Sequence, residues 1–279
     1  RVHISHLKAV GPNSADEVLA SIDRAKRDVD LSFDVYPYQP GSSMLSYLLP
    51  YEAWDDGPLG VLAKLRDPII RQRFARGLEQ HRLDLDHIRI AWVSSQENAV
   101  HHGRRLSDYA REVARPPEEA LLNLLIEERL AVLLVFDEGD DRRVRPFLEH
   151  DLYMMGTDGI YADDGPIHPR MYGSAGRLLG PLVRDEKLFS LEDAVWKLSG
   201  RAAERFRLKD RGVLREGAFA DLVVFDPATV TDRATYGEPR QATIGIEHVL
   251  VNGRPIIADG APLESLPDPL PGRALASGE

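Results

Sequence analysis

Val2-His3-Ile4-Ser5-His6-Leu7-Lys8 opens the chain with a strand pattern that stops on a histidine. β-Branched and polar residues alternate here, which predicts a strand over residues 2–6. Period two puts Val2, Ile4 and His6 on one face and His3 and Ser5 on the other. His6 is therefore expected to complete an inward row, and His3 is not expected to act as a ligand. Further along, Asp30-Leu31-Ser32-Phe33-Asp34-Val35-Tyr36 alternates in the same way before Pro37, Pro40 and Gly41 break it into a loop. A helix is expected over 16–26, with Val18, Leu19, Ile22 and Ala25 at helical spacing. Residues 130–136 are expected to form a third barrel-type strand. Residues 152–155 would form a fourth, running into Gly156-Thr157-Asp158-Gly159. Strands alternating with helices imply an α/β protein built on parallel strands.

Residues from about 44 to 130 are less regular and read as an insertion. They include a basic helix near 67–82, a short strand at 88–93 and helices near 106–114 and 117–128. Ser190 is placed to cap a helix whose third residue is Asp193. Beyond Phe206 the pattern changes to short strands. Val249-Leu250-Val251-Asn252-Gly253 followed by Pro255-Ile256-Ile257 predicts a hairpin, because Asn-Gly suits two successive positive-φ positions. The expected organisation is a barrel portion over 1–206, a small β-sandwich segment over 207–258 and a mobile tail over 259–279.

Composition narrows the function. The net charge of −10 argues against a nucleic-acid partner, because phosphate binding needs clustered Lys and Arg. With no cysteine, disulfide and thiolate chemistry are excluded within the chain. No apolar run approaches the roughly 20 residues of a membrane span and no signal peptide pattern opens the sequence, so the cytoplasm is the expected compartment. Because Arg1 leads straight into a buried-type strand, the chain reads as truncated.

Two residues stand where a β/α barrel keeps its chemistry, at the C-terminal ends of strands: His6 and Asp158. Imidazole and carboxylate both suit zinc, and a carboxylate can also take a proton from water made acidic by the metal. Taken singly, a strand-end histidine also suits a structural role, and Thr-Asp-Gly also suits a turn. Lys8, Tyr36, Ser42 and Arg170 lie on loops just beyond strands, offering two cations and two hydroxyls for a substrate carboxylate. His101 and His102 read as solvated, and Trp54, Trp92 and Trp196 as packing residues.

Read in order, these pieces form a longer pattern. It begins with Ile4-Ser5-His6-Leu7-Lys8 and Gly11, followed by Asp34-Val35-Tyr36-Pro37-Tyr38 and Gly41-Ser42-Ser43-Met44-Leu45. Met155-Gly156-Thr157-Asp158-Gly159, His168-Pro169-Arg170 and Arg177-Leu178-Leu179-Gly180 continue it. Ala194-Val195-Trp196-Lys197-Leu198-Ser199-Gly200, Asp210-Arg211-Gly212, Ala220-Asp221-Leu222-Val223-Val224-Phe225-Asp226-Pro227 and Val251-Asn252-Gly253 complete it. The set resembles the N-acyl-D-amino-acid deacylase branch of the amidohydrolase superfamily, with the weakest match over roughly 50–130.

The resemblance implies the C-terminal portion of a distorted TIM-type (β/α)8 barrel, about strands six to eight plus the insertion, followed by part of a small β-sandwich. It implies a zinc hydrolase, with one or two ions in the intact enzyme, that cleaves N-acyl-D-amino acids to a carboxylate and a free amino acid. His6 would be a metal ligand. Asp158 would be general acid/base and a second-metal ligand. Lys8, Tyr36, Ser42 and Arg170 would hold the substrate carboxylate. The family's His-x-His pair, its ligand Cys and a further His would lie upstream, in about 200–250 further residues. The chain alone is then expected to be inactive. Two other readings stay open: a cyclic-amide hydrolase of hydantoinase or dihydroorotase type, and a non-catalytic remnant.

Overall fold

The computed structural model describes residues 1–9, 14–81, 83–161 and 165–275, so Gly11 of the opening motif lies outside the described residues. Among the described residues ten strands run in chain order. They are β1 (Val2–Ile4), β2 (Leu31–Val35), β3 (Ser42–Met44), β4 (Ile88–Val93), β5 (Val132–Phe136), β6 (Tyr153–Met155), β7 (Leu222–Phe225), β8 (Ile246–Val251), β9 (Arg254–Ala258) and β10 (Ala261–Pro262). The chain divides into two compact units. The first comprises Arg1–Gln39, Asp141–Gly159 and Pro169–Glu279, and the second Pro40–Asp140 with Ile160–His168.

In the first unit β1, β2 and β6 form a parallel sheet in that order, with Ile4 opposite Phe33 and Val35 opposite Met155. It is an open three-stranded sheet, and no closed barrel forms among the described residues. Phe33, Val35 and Tyr153 project into a core with Phe147, Leu148, Ile22 and Leu178, and Ile4 packs against it. The helix Ala15–Ala25 lies between β1 and β2. Ser14 and Glu17 close its first turn as a capping box, each side chain accepting the other's backbone N–H.

Two expectations change here. The strand at Val132–Phe136 does not join β1 and β2. In the second unit it pairs antiparallel with β3 and β4, in the order β3-β5-β4. A short apolar run has the same period whichever sheet buries it, so pattern alone could not choose its partners. The proposed row Val2, Ile4, His6 is also not one row. Val2 is exposed, Ile4 packs on the helix-covered core, and His6 lies past the strand at φ 43°. His3 instead shares a face with Ser32 and Asp34.

The core of the second unit gathers Leu45, Phe74, Ile90, Leu121, Leu125 and Val132, and the whole 44–130 segment lies inside that unit. His101 and His102 are not simply solvated there. The His101 ring packs edge-on against Tyr109, and His102 Nε2 accepts the N–H of Val93. Trp54 packs on this core, whereas Trp196, in the first unit, is 41% exposed and lies over Gly200.

An antiparallel sheet, β10-β9-β8-β7, follows in the first unit. Asn252 and Gly253 join β8 to β9 with φ values of 48° and 76°, the two positive-φ positions predicted for this turn. Ser190 accepts the Asp193 N–H at 3.1 Å, as its position before the helix Leu191–Val195 implied. Past Gly260 the chain adds β10, and the Pro271 carbonyl accepts the Asn252 side-chain amide at 2.6 Å.

Candidate active site

Three parallel strands deliver the candidate residues to one end of the sheet. His6 follows β1, Tyr36 follows β2 directly, and Asp158 follows β6 by three residues. His6 and Asp158 both have left-handed backbone, at φ 43° and 46°, although neither is glycine. Such a conformation costs free energy for a side-chain-bearing residue, so surrounding contacts must hold it.

The contacts at the end of β1 come from Asp34. Its Oδ1 accepts the His6 N–H at 2.8 Å, and its Oδ2 accepts from His3 Nε2 at 2.8 Å and from the Ser5 hydroxyl at 3.2 Å. The Asp34 carbonyl accepts the Leu7 N–H at 2.9 Å. His6 itself is exposed.

Beside this turn lies a cluster of charged and aromatic groups. Lys8 Nζ donates to the carbonyls of Tyr38 at 2.6 Å and Gln39 at 3.2 Å, and it sits 3.5 Å from the Tyr36 ring centroid. Arg170 is fully buried, its Cζ 4.4 Å from the same centroid, and it pairs with Asp158 at 2.9 Å. An aromatic face attracts each cation and so helps keep the two together. Lys8, Tyr36, Asp158 and Arg170 thus converge. Ser42 belongs to the second unit, where its hydroxyl donates to the Leu134 carbonyl at 2.8 Å.

Burial, and then the neighbouring Arg170 guanidinium, pull Lys8 from its ordinary 10.5 down to about 6. Burial likewise raises the Tyr36 phenol. Between pH 6 and 10.5 the unfolded chain holds a proton on Lys8 that the folded chain does not, so wild-type stability rises with pH across that window. The slope from this residue is at most about 1.4 kcal/mol per pH unit. Lys8→Met is expected to remove it, flattening the difference between urea unfolding curves at pH 7 and pH 9. Equal pH slopes in the two proteins would contradict the assigned environment.

A further network supports the loop that receives Lys8. The Tyr38 hydroxyl donates to Asp232 at 3.1 Å, Arg177 stacks 4.4 Å from the Tyr38 ring centroid, and Arg177 pairs with Asp141 at 2.7 Å. Asp141 also accepts the Gln39 N–H at 2.7 Å. Sequence reading quoted Asp34 and Arg177 within motifs but gave them no role, and it singled out neither Asp141 nor Asp232. A signal for Asp34 was present: Ser32, Asp34 and Tyr36 form a polar row at period two opposite Phe33 and Val35.

The donor chemistry of His6 and Asp158 suits zinc, but two donors do not hold it. Among the described residues, one group of three His, Asp or Glu side chains stands close enough to share an ion. It is Asp84, His87 and Glu138, in the second unit, and does not include His6 or Asp158. A metal held at His6 therefore needs ligands from outside the described residues. No helix of the described chain is long and apolar enough to cross a membrane.

The amidohydrolase family model matches residues 86–257, more than half of the sequence. The chain belongs to the amidohydrolase family. It is 36% identical over 258 residues to the D-aminoacylase of Alcaligenes xylosoxydans xylosoxydans, covering 91% of this chain and 45% of that protein. The crystal structure of N-acyl-D-glutamate deacylase from Bordetella bronchiseptica, complexed with zinc and a phosphonate mimic of the tetrahedral intermediate, superposes with a TM-score of 0.69. Identity is 32%, over 93% of this chain and 48% of that one. A D-aminoacylase structure described for its binuclear metal centre gives a TM-score of 0.72 at 31% identity, covering 95% and 48%. This amidohydrolase chain spans about half the length of the curated relatives it matches.

Proposed function

We propose that the complete protein is a zinc-dependent hydrolase cleaving the amide bond of N-acyl-D-amino acids, and that this chain carries part of its active site. The observation that most supports the reading is the convergence of Lys8, Tyr36, Asp158 and Arg170 beyond parallel strand ends, one turn from His6. Relatives described as D-aminoacylase and N-acyl-D-glutamate deacylase add weight to this substrate class.

In this reading His6 binds the metal, with the remaining ligands supplied from outside the chain. Zinc, when bound, polarises the acyl carbonyl and acidifies water. Asp158 takes the proton of the attacking water and returns it to the leaving amine. Arg170 fixes the Asp158 carboxylate through the 2.9 Å pair. The substrate carboxylate is held by Lys8, Tyr36 and Arg170, which aims the scissile bond. Its arrival beside Lys8 favours the charged ammonium, offsetting the effect of burial and of Arg170.

A hydantoin has no free α-carboxylate and would give Lys8 and Arg170 no substrate group to hold. Turnover of N-acetyl-D-amino acids by the complete protein, against none of hydantoins, is the expected result. Preference for hydantoins would overturn the assignment. The chain by itself is expected to retain no tightly bound zinc after dialysis, measured by atomic absorption alongside a His87→Ala control for the Asp84–His87–Glu138 group. One tightly held ion in both proteins would mean that the ligand set is complete here.

A further inference from the structure

Asp34 is engaged on both carboxylate oxygens, and no step above uses it. Its side chain is 18% exposed and joins three parts of the β1 end: the His3 ring, the Ser5 hydroxyl and the His6 backbone N–H. His3 is held in turn, with Nδ1 2.8 Å from the Ser32 hydroxyl. On its other side Asp34 abuts the end of β6. A Cβ at Gly156 would come within 2.7 Å of the Asp34 carboxyl, so only glycine allows that approach. Two residues later stands Asp158. β2 lies between β1 and β6, so this single carboxylate touches the turns that carry both His6 and Asp158.

We propose that Asp34 is a positioning residue. Its carboxylate holds the left-handed turn that aims His6, and its contact with Gly156 sets how closely the Asp158 turn approaches. The proposal rests on the reading of His6 as a metal ligand. The physical ground is the backbone: at φ 43° His6 is in a region uncommon for residues other than glycine, and Asp34 supplies the hydrogen bond made by its N–H. Asn in place of Asp would keep the shape but turn one acceptor into a donor, facing either the His6 N–H or the His3 and Ser5 donors.

The test has two readouts. In this chain, amide hydrogen exchange at His6 is followed by NMR. Asp34→Asn is expected to speed it about ten-fold or more while Phe33 and Tyr153 stay at wild-type rates. In the complete protein, zinc affinity measured by chelator competition is expected to fall about 10–100-fold, the range for residues that orient a ligand. Unchanged His6 exchange overturns the proposal whatever happens to zinc. Faster exchange with unchanged zinc affinity also overturns it, and locates the failure in the assignment of His6 to the metal. Should Asp34→Asn unfold the unit, Gly156→Ala keeps Asp34 in place but crowds it. That variant is expected to move both readouts in the same direction, and wild-type values for both would overturn the proposal.

Discussion

Asp158→Asn, made in the complete protein, is expected to lower kcat by about 100-fold or more, the size of a general acid–base contribution. Asn preserves the shape and keeps an oxygen facing Arg170, but it neither takes a proton from water nor returns one to an amine. Asn is the informative replacement because Arg170 is fully buried and pairs with Asp158 at 2.9 Å. Removing the side chain altogether would take an ion-pair partner from a buried cation, at a cost of roughly 3–5 kcal/mol, and would confuse lost chemistry with lost structure. Steady-state kinetics with an N-acetyl-D-amino acid, together with thermal unfolding, separate the two effects. A kcat near wild type would remove Asp158 from the proposed chemistry.

Glu128→Ala should be the most damaging single truncation in the second unit. Glu128 is fully buried. Its Oε2 accepts the N–H groups of Ser94 and Ser95 at 2.7 and 2.8 Å and the Ser94 hydroxyl at 2.8 Å. Oε1 accepts the Ser95 hydroxyl at 2.5 Å and the Asn98 amide at 2.6 Å. Alanine would strand all these donors, and the expected loss is about 3–5 kcal/mol. Burial alone would raise this carboxyl, but the hydrogen bonds from Ser95, Asn98 and Ser94 outweigh it and hold Glu128 at about 2 instead of 4.5. Because the folded value lies below the unfolded one, the stabilisation is complete above pH 4.5 and is lost as pH falls toward 2. Over that window wild type should lose on the order of 3 kcal/mol that Glu128→Ala no longer has to lose. Urea unfolding at pH 7 and pH 3 measures both effects. Matching acid sensitivity in the two proteins would show that Glu128 is not the group responsible.

Much of the local structure could be read directly from residues. The strands at β1, β2, β4 and β6, the cap at Ser190 and the Asn252-Gly253 turn depend on neighbours a few positions away, and their signals are local. The order of motifs from Ile4 to Gly253 was enough to indicate the amidohydrolase family. What the pattern could not specify is which partner each element meets. Alternation shows that His3 and Ile4 face opposite ways, but not which face the helices cover. A left-handed turn at His6 then breaks the alternation that had placed it. β5 has the sequence of any buried strand, and its place beside β3 and β4 is a matter of long-range pairing. The pull on Lys8 comes from burial and from Arg170, far along the chain, and the three-way grip of Asp34 needs β1, β2 and β6 side by side. By itself the sequence determined the elements, the family and the residue types available for chemistry. Only the tertiary structure decided which of them meet, because burial, charge coupling and sheet order arise between segments that no local window contains.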